Sequence, residues 1–132
     1  MPFKTGLHIK TFEVTATLGL NIGYSKNQIS IDEAIQAIGK AACTIDGFTF
    51  SGTVTLSQII IASKSKVSSE PALIVQSSIY PRFPENTVIF KQNFTQFIGN
   101  LATLLKQERV ALRFSDESFM LETEHCTKPD LK

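Results

Sequence analysis

The sequence predicts an α+β fold in which an antiparallel sheet carries two helices on one face. The first observation is that Thr11 to Ile22 alternates apolar residues with small or polar ones. A period of two is typical of a strand with one buried face and one wet face. The second is that the order strand, helix, strand occurs twice along the chain. A parallel sheet covered on both faces would instead show continuous apolar runs.

Length and composition limit the classes of protein that fit. The 132 residues predict a single α+β domain with an N-terminal arm over residues 1–10 and a flexible tail over 123–132. Lys and Arg number 13 against 12 Asp and Glu, and this balance argues against a nucleic-acid or anionic-membrane partner. The chain shows no apolar segment of about 18 residues and no secretory leader pattern. We therefore expect a cytoplasmic protein with free thiols at Cys43 and Cys126.

The first strand and helix have clear boundaries in the sequence. The strand pattern runs from Thr11 to about Tyr24, which is long for a strand. A helix is predicted to begin at Ser30, because Glu33 follows at the capping-box spacing. It should end near Cys43, ahead of the Asp-Gly turn signal at 46–47. Its apolar stripe consists of Ile31, Ala34, Ile35, Ile38, Ala41 and Ala42.

The second strand is predicted from Phe48 to about Ser63. Its apolar residues change parity between Leu56 and Ile59. A strand cannot change face without an extra residue, so the pattern predicts a bulge or bend near Ser57-Gln58. The polar segment Lys64 to Pro71 is predicted to be an exposed loop.

The third strand and the second helix follow. The strand pattern covers Ala72 to Tyr80 and ends at the two prolines of segment 81–84. The helix is predicted over Lys91 to Gln107, where Asn93 is a candidate N-cap. Val88 to Phe90 is either a first helical turn or a short extended piece. The apolar stripe of this helix consists of Phe94, Phe97, Ile98, Leu101, Leu104 and Leu105.

Two short strands complete the chain. Arg109 to Phe114 alternates in polarity, a turn is predicted at Ser115 to Ser118, and a short strand at Phe119 to Leu121. The resulting order, βαββαβ with one extra strand, resembles the split β-α-β arrangement of ferredoxin-like domains. The alternative is another α+β layout in which the first two strands form a ribbon.

Motifs for catalysis or metal binding are missing from the sequence. His8 lies in the arm and His125 in the tail, and the cluster of Glu122, Glu124, His125 and Cys126 does not have a zinc-site spacing. There is no G-x-S-x-G elbow and no glycine-rich phosphate loop. The sequence therefore indicates no metal, no cofactor and no catalytic residue.

Arginines are the strongest candidates for ligand binding. Arg109 and Arg113 are four residues apart on one strand, so both side chains project from the sheet face opposite the core, about 13 Å apart. Guanidinium groups there would bind a carboxylate or phosphate, unless they pair with Glu13 or Glu108 as ordinary surface residues. A rigid loop offers Arg82 and Phe83 as a clamp. The candidate ligand-binding residues are Arg82, Phe83, Arg109, Arg113, Glu13 and Tyr24.

Two functions remain open. The first is a non-catalytic domain that forms a homo-oligomer through its half-polar sheet face and binds a protein partner or a small anionic or nucleotide-like ligand. The second is a small enzyme with an active site between subunits, acting on an anionic substrate. For this second function, Pro2 would become the N-terminal residue once Met1 is removed. It then resembles the proline base of the tautomerase superfamily, which is also built from βαβ units, and this resemblance implies an isomerase.

Overall fold

The alternating stretch at the start of the chain forms the central strand of a five-stranded antiparallel sheet. A computed structural model of the chain describes residues 2–21, 29–81 and 85–124. Within them the sheet order is β2-β3-β1-β4-β5. The predicted α+β class is therefore confirmed. The elements in chain order are β1 Glu13–Gly19, α1 Ile31–Cys43, β2 Thr53–Ala62, β3 Val67–Ser78, α2 Thr87–Leu104, β4 Arg109–Phe114 and β5 Ser118–Glu122.

Each strand-helix-strand unit joins two strands that are separated by a third. β1 and β2 are both antiparallel to β3, which lies between them. In the same way, β3 and β4 are both antiparallel to β1. Every neighbouring pair in the sheet is therefore antiparallel, although each helix connects two strands that run in the same direction.

One face of the sheet packs against the helices. Val14, Ala16 and Leu18 of β1 are at most 1% exposed, whereas Thr15 and Thr17 between them are half-buried. The buried residues of both helices join the buried strand residues in one core cluster. Each large apolar side chain buried there contributes about 1.5–3 kcal/mol. The opposite face, called the open face below, carries the threonines and arginines.

Helix α1 begins and ends as predicted. The Glu33 N–H donates to Ser30 Oγ over 3.1 Å, and the Ser30 N–H donates to Glu33 Oε1 over 3.3 Å. This reciprocal pair is a capping box. Neither helix of the described ranges has the length and hydropathy that a bilayer-crossing segment requires.

The bulge predicted at Ser57-Gln58 is wrong. β2 pairs with β3 without interruption, from Thr53 opposite Gln76 to Ala62 opposite Val67. Leu56, Ile60 and Ile61 are between 58% and 67% exposed. Apolar residues occur at both parities because residues 55–62 of β2 are exposed or half-buried on both faces.

The loop predicted over Lys64 to Pro71 is also wrong. The chain reverses within the segment 63–66, where the Ser63 N–H donates to the Lys66 carbonyl over 2.7 Å. β3 then begins at Val67 and continues through Pro71, whose carbonyl accepts the Leu20 N–H over 2.9 Å. Polar composition suggested a loop, but polar side chains are equally suited to the exposed positions of a hairpin.

The long first strand is shorter than its pattern. β1 covers seven residues, and single backbone bonds at Phe12 and Leu20 extend its pairing beyond both ends. The predicted end near Tyr24 lies outside the described residues. β2 begins at Thr53 rather than Phe48. Phe48 and Phe50 instead pack against Phe94 and Phe97, with ring centroids 5.1–6.0 Å apart.

Helix α2 begins earlier than Lys91. Asn86 is its N-cap, and the Asn86 Oδ1 accepts the backbone N–H groups of Val88 and Ile89 over 2.8 and 3.3 Å. Val88 to Phe90 is therefore a helical turn, and the candidate cap at Asn93 is wrong. Lys91 then ties α2 to the turn between β4 and β5 through Glu117 and Asp116. Its hydrogen bond to the Glu117 carboxylate, followed by that to Asp116, raises the pKa of Lys91.

The end of α2 has the bonds of a Schellman motif. The Gln107 N–H donates to the Ala102 carbonyl over 2.9 Å, and the Lys106 N–H donates to the Thr103 carbonyl over 3.1 Å. Lys106 itself has a φ of 56°, in the left-handed region. Glycine normally occupies this position, because an L side chain there is strained.

Replacing Lys106 by glycine should therefore stabilise the protein. We expect the free energy of unfolding to rise by about 0.5–1 kcal/mol, since relief of strain outweighs the extra freedom of the unfolded chain. Urea unfolding followed by circular dichroism measures it. Gln36→Gly, at an exposed position inside α1, is the matched control and should lose about 1 kcal/mol. A loss of stability in both variants would contradict the strain at Lys106.

Candidate functional site

A pocket of about 380 Å³ lies at the end of β1. β1 stops at Gly19, while β2 and β3 continue beyond it on one side and β4 begins on the other. The pocket fills the space that this early end leaves. Its lining residues are Asn21, Ile59, Ile61, Ser68, Ser69, Glu70, Gln107, Glu108 and Arg109.

Strand register places the charged side chains in the pocket. Glu70 lies two residues before Ala72, which is the partner of Gly19, so its side chain lies on the open face. Arg109 lies two residues before Ala111, the partner of Thr17, and shares that face. The pocket therefore takes a carboxylate from β3 and a guanidinium from β4.

Gln107 is fixed between the end of α2 and the start of β4. Only 8% of it is exposed. Its Nε2 donates to the Asn21 carbonyl over 2.8 Å and to the Leu105 carbonyl over 3.0 Å. An amide has two N–H hydrogens, and both are used here. The Gln107 Oε1 is left as an acceptor directed at the end of β1.

Gly19 leaves room for two acceptors to converge. A Cβ on Gly19 would lie 2.7 Å from the Gln107 Oε1 and 3.1 Å from the Glu70 Oε2. Both oxygens therefore point at the space above the Gly19 backbone. A ligand group with several acidic hydrogens, above all an ammonium group, suits such a pair.

The remaining charges form a mixed set. Arg109 Nε lies 3.6 Å from the Glu122 carboxylate of β5, and Glu108 adds a second carboxylate to the lining. The Thr123 hydroxyl donates to the Gln107 carbonyl and holds this segment against the end of β5. The lining itself thus carries two negative charges and one positive charge. In the described ranges, no three His, Cys, Asp or Glu side chains are grouped to hold a metal ion.

Arg109 is the sequence-predicted ligand residue that lines this pocket. It pairs with Glu122, a partner that the sequence pattern does not indicate. Arg113 lies opposite Thr15, towards the other end of the sheet. The Glu13 backbone there bonds the Ser115 hydroxyl. Arg82, Phe83 and Tyr24 lie outside the described residues, and Pro2 is exposed in the arm.

Sequence reasoning missed Glu70, Gln107 and Glu108. The sequence pattern places Glu70 in a predicted loop and Gln107 in the last turn of a predicted helix. The signal available was the run of three polar residues at 107–109, which stands between the apolar stripe of a helix and a strand with one apolar face. Nothing in the sequence indicates that Gln107 is buried or that Gly19 lies beside it.

Fold and pocket together define a small α+β domain with a charged site of small-molecule size. No family model and no curated protein matches the sequence. Two solved structures are similar to it in fold. A phage SAM lyase in complex with S-methyl-5'-thioadenosine has a TM-score of 0.74 at 13% identity, over 92% of this chain and 97% of that one. The same kind of enzyme in its apo state has a TM-score of 0.71 at 13% identity, over 86% and 90%.

Proposed function

We propose that this protein is a small enzyme that cleaves S-adenosylmethionine (SAM) in the pocket at the end of β1 and releases S-methyl-5'-thioadenosine. The observation that carries the proposal is the convergence of the Gln107 and Glu70 oxygens above Gly19. The likeness in fold to a phage SAM lyase supports it, and so does the charge arrangement of the pocket.

The charges of SAM complement those of the pocket lining. At neutral pH the molecule carries a sulfonium and an ammonium cation and one carboxylate. The lining offers the carboxylates of Glu70 and Glu108 and the guanidinium of Arg109. In the proposed complex, Glu70 and Gln107 accept hydrogen bonds from the ammonium group. Arg109 attracts the carboxylate, and charge-assisted bonds of both kinds are the stronger class.

The reaction breaks the bond between the sulfonium sulfur and Cγ of the amino-acid chain. Sulfur keeps both electrons and leaves as the neutral thioether of S-methyl-5'-thioadenosine. The carboxylate of the same chain takes its place on Cγ and closes a lactone, so no water is consumed and the ammonium proton stays on the product. Positive charge at sulfur decreases on the way to the transition state, so an apolar wall there disfavours the sulfonium substrate more than the transition state and lowers the barrier.

Ile59 and Ile61 supply such a wall in this proposal. Both lie on the open face of β2 and line the pocket opposite Arg109 and Glu108. The carboxylates of Glu70 and Glu108 then favour the reaction most if they lie near the ammonium group and away from the sulfur. A negative charge next to sulfur would stabilise the sulfonium ground state and slow the bond cleavage.

The proposal also includes the fold family. We propose that the sheet is a ferredoxin-like split βαβ arrangement with β5 added beside β4. The insertion of β3 between β1 and β2, and of β1 between β3 and β4, supports it. The predicted ribbon of the first two strands has no support, because β3 lies between β1 and β2.

Incubation of the purified protein with SAM tests the proposed activity. Liquid chromatography with mass spectrometry should detect S-methyl-5'-thioadenosine and an equal amount of the four-carbon lactone. Performing the reaction in H₂¹⁸O distinguishes a lyase from a hydrolase, since only hydrolysis adds labelled oxygen in the cleavage step. The four-carbon product must be analysed before spontaneous lactone opening, which adds solvent oxygen later.

Calorimetric titration with SAM separates the two functions left open by the sequence. If SAM binds but no product forms, the protein is a non-catalytic domain that binds a ligand. An absence of both binding and product would overturn the pocket assignment. Labelled homoserine formed at the earliest time points would show a hydrolase instead.

A further inference from the structure

We propose that Asn21 is the third acceptor of a site for a primary ammonium group, together with Glu70 and Gln107, and that it makes the pocket select primary amines. This role rests on the proposed function and deepens it, because it names the group by which the substrate is recognised. An ammonium group on a carbon chain has three N–H hydrogens. Glu70 and Gln107 direct one oxygen each at the space above Gly19, so one acceptor is still needed.

The Asn21 side chain has a buried acceptor that the fold does not use. Its Oδ1 is shielded from solvent and accepts no hydrogen bond within the part of the chain that the structure describes. A buried acceptor without a donor costs stability, and folded proteins leave few of them. Because Asn21 lines the pocket, a ligand N–H is the donor that would satisfy this oxygen. The last torsion of asparagine is broad, so Oδ1 can turn towards a bound group.

Strand register places Asn21 beside both of the other acceptors. Just beyond the end of β1, the Leu20 N–H still donates to the Pro71 carbonyl of β3 over 2.9 Å. Continued by one residue, this register brings Asn21 opposite Glu70, and facing residues of such a pair have Cβ atoms about 5 Å apart. Leu20 is buried in the core, so Asn21 after it points to the open face. On its other side, the Asn21 carbonyl accepts the Gln107 Nε2 over 2.8 Å.

The three oxygens together suit one cationic group with several N–H hydrogens. Glu70 supplies a negative charge, and among the described residues no ion pair includes it. Gln107 cannot turn its oxygen away, because both of its N–H hydrogens are bonded to backbone carbonyls. A quaternary ammonium has no N–H to donate, and a secondary amine leaves one acceptor unpaired. The arrangement therefore favours a primary ammonium group, such as that of SAM.

Asn21→Leu should have two effects of opposite sign. Leucine has a similar branched shape and removes the unpaired oxygen, so the melting temperature of the ligand-free protein should rise by about 3 °C or more. The dissociation constant for SAM in calorimetric titration should increase at least about tenfold, because one hydrogen bond to the ammonium is lost. A fall in the melting temperature would show that Asn21 has a structural role and would overturn the proposal.

An analogue of SAM that lacks the amino group tests which part of the ligand Asn21 contacts. Asn21→Leu should leave the dissociation constant of this analogue within about twofold of the wild-type value. Asn21→Asp keeps an acceptor oxygen at the same position and should retain SAM binding. The matched control is Asn93→Leu, the same exchange at a half-buried position of α2 outside the pocket lining, and it should leave both dissociation constants unchanged. Equal weakening of SAM and the analogue by Asn21→Leu would overturn the ammonium role.

Titration with methionine distinguishes failure of this role from failure of the proposed function. Methionine has the primary ammonium group without the nucleoside. If wild type binds methionine, Asn21→Leu does not, and SAM is neither bound nor cleaved, the ammonium site is supported and the proposed function is overturned. If wild type cleaves SAM and Asn21→Leu binds it equally well, the role of Asn21 is overturned and the proposed function is supported. No binding of either ligand overturns both, and thermal stabilisation by Ca²⁺ that Asn21→Leu abolishes would show a metal site in place of the ammonium site.

Discussion

Replacing Gly52 by alanine is expected to destabilise the protein by about 3 kcal/mol or more, the size typical of severe overpacking. A Cβ at this position would lie 2.1 Å from the Gln76 carbonyl oxygen and 3.1 Å from the Phe50 ring. The Gln76 backbone belongs to β3, which is paired on one side with β1 and on the other with β2. It cannot move away without breaking a ladder, so the clash must be relieved at the expense of stability.

Gly39→Ala is the matched control for Gly52→Ala. It makes the same chemical change in α1, where a Cβ would meet nothing within 4 Å. There we expect a gain of about 0.5–1 kcal/mol, because alanine is the better helix former. Urea unfolding of both variants measures the two effects. Opposite signs support the close approach at Gly52, and a loss under about 1 kcal/mol at Gly52 would contradict it.

Helices and strands could be predicted from sequence where they bury one face only, or where residues at their ends form local hydrogen bonds. β1 shows its alternation because its two neighbours and the helices bury one face only. Ser30 and Glu33 determine the start of α1 by a local bond pair. β4 was predicted with its bounds, since both alternation and the preceding helix stripe mark it.

Prediction failed where burial did not determine the pattern. No residue of β2 is fully buried, so its apolar residues do not alternate, and the polar start of β3 resembles a loop. The sequence leaves the start of α2 open between a cap at Asn93 and a first helical turn at Val88 to Phe90, because asparagine at either Asn86 or Asn93 can cap a helix. Only the packing of Phe90 into the core distinguishes them.

The pocket could be predicted only in part. Arg109 was found because the parity of a strand fixes its face. Glu70 and Gln107 are 37 residues apart in the sequence. Their side chains meet because β1 ends at Gly19. A strand that ends early leaves no mark in a single sequence. The ligand role of Arg113, Glu13 and the residues outside the described ranges remains a prediction.

In the pocket, Glu70→Gln is expected to lower kcat/KM for SAM by about 10- to 100-fold. The change keeps the shape of the side chain and removes its charge. A hydrogen bond to a charged group contributes about 1.5–3 kcal/mol, and each 1.4 kcal/mol is a factor of ten. Product formation in the chromatographic assay measures it. Glu85→Gln, the same change at an exposed residue ahead of α2 and outside the pocket lining, is the control and should leave kcat/KM unchanged.

Affinity for the product tests whether Glu70 binds the ammonium group of SAM or another part of the molecule. S-methyl-5'-thioadenosine has the nucleoside and the sulfur but no ammonium group. If Glu70 and Gln107 hold the ammonium above Gly19, Glu70→Gln should weaken SAM binding and leave the dissociation constant of the thioether within about twofold. Equal weakening of both ligands would place Glu70 at the nucleoside, and the convergence of oxygens above Gly19 would then need a different ligand group.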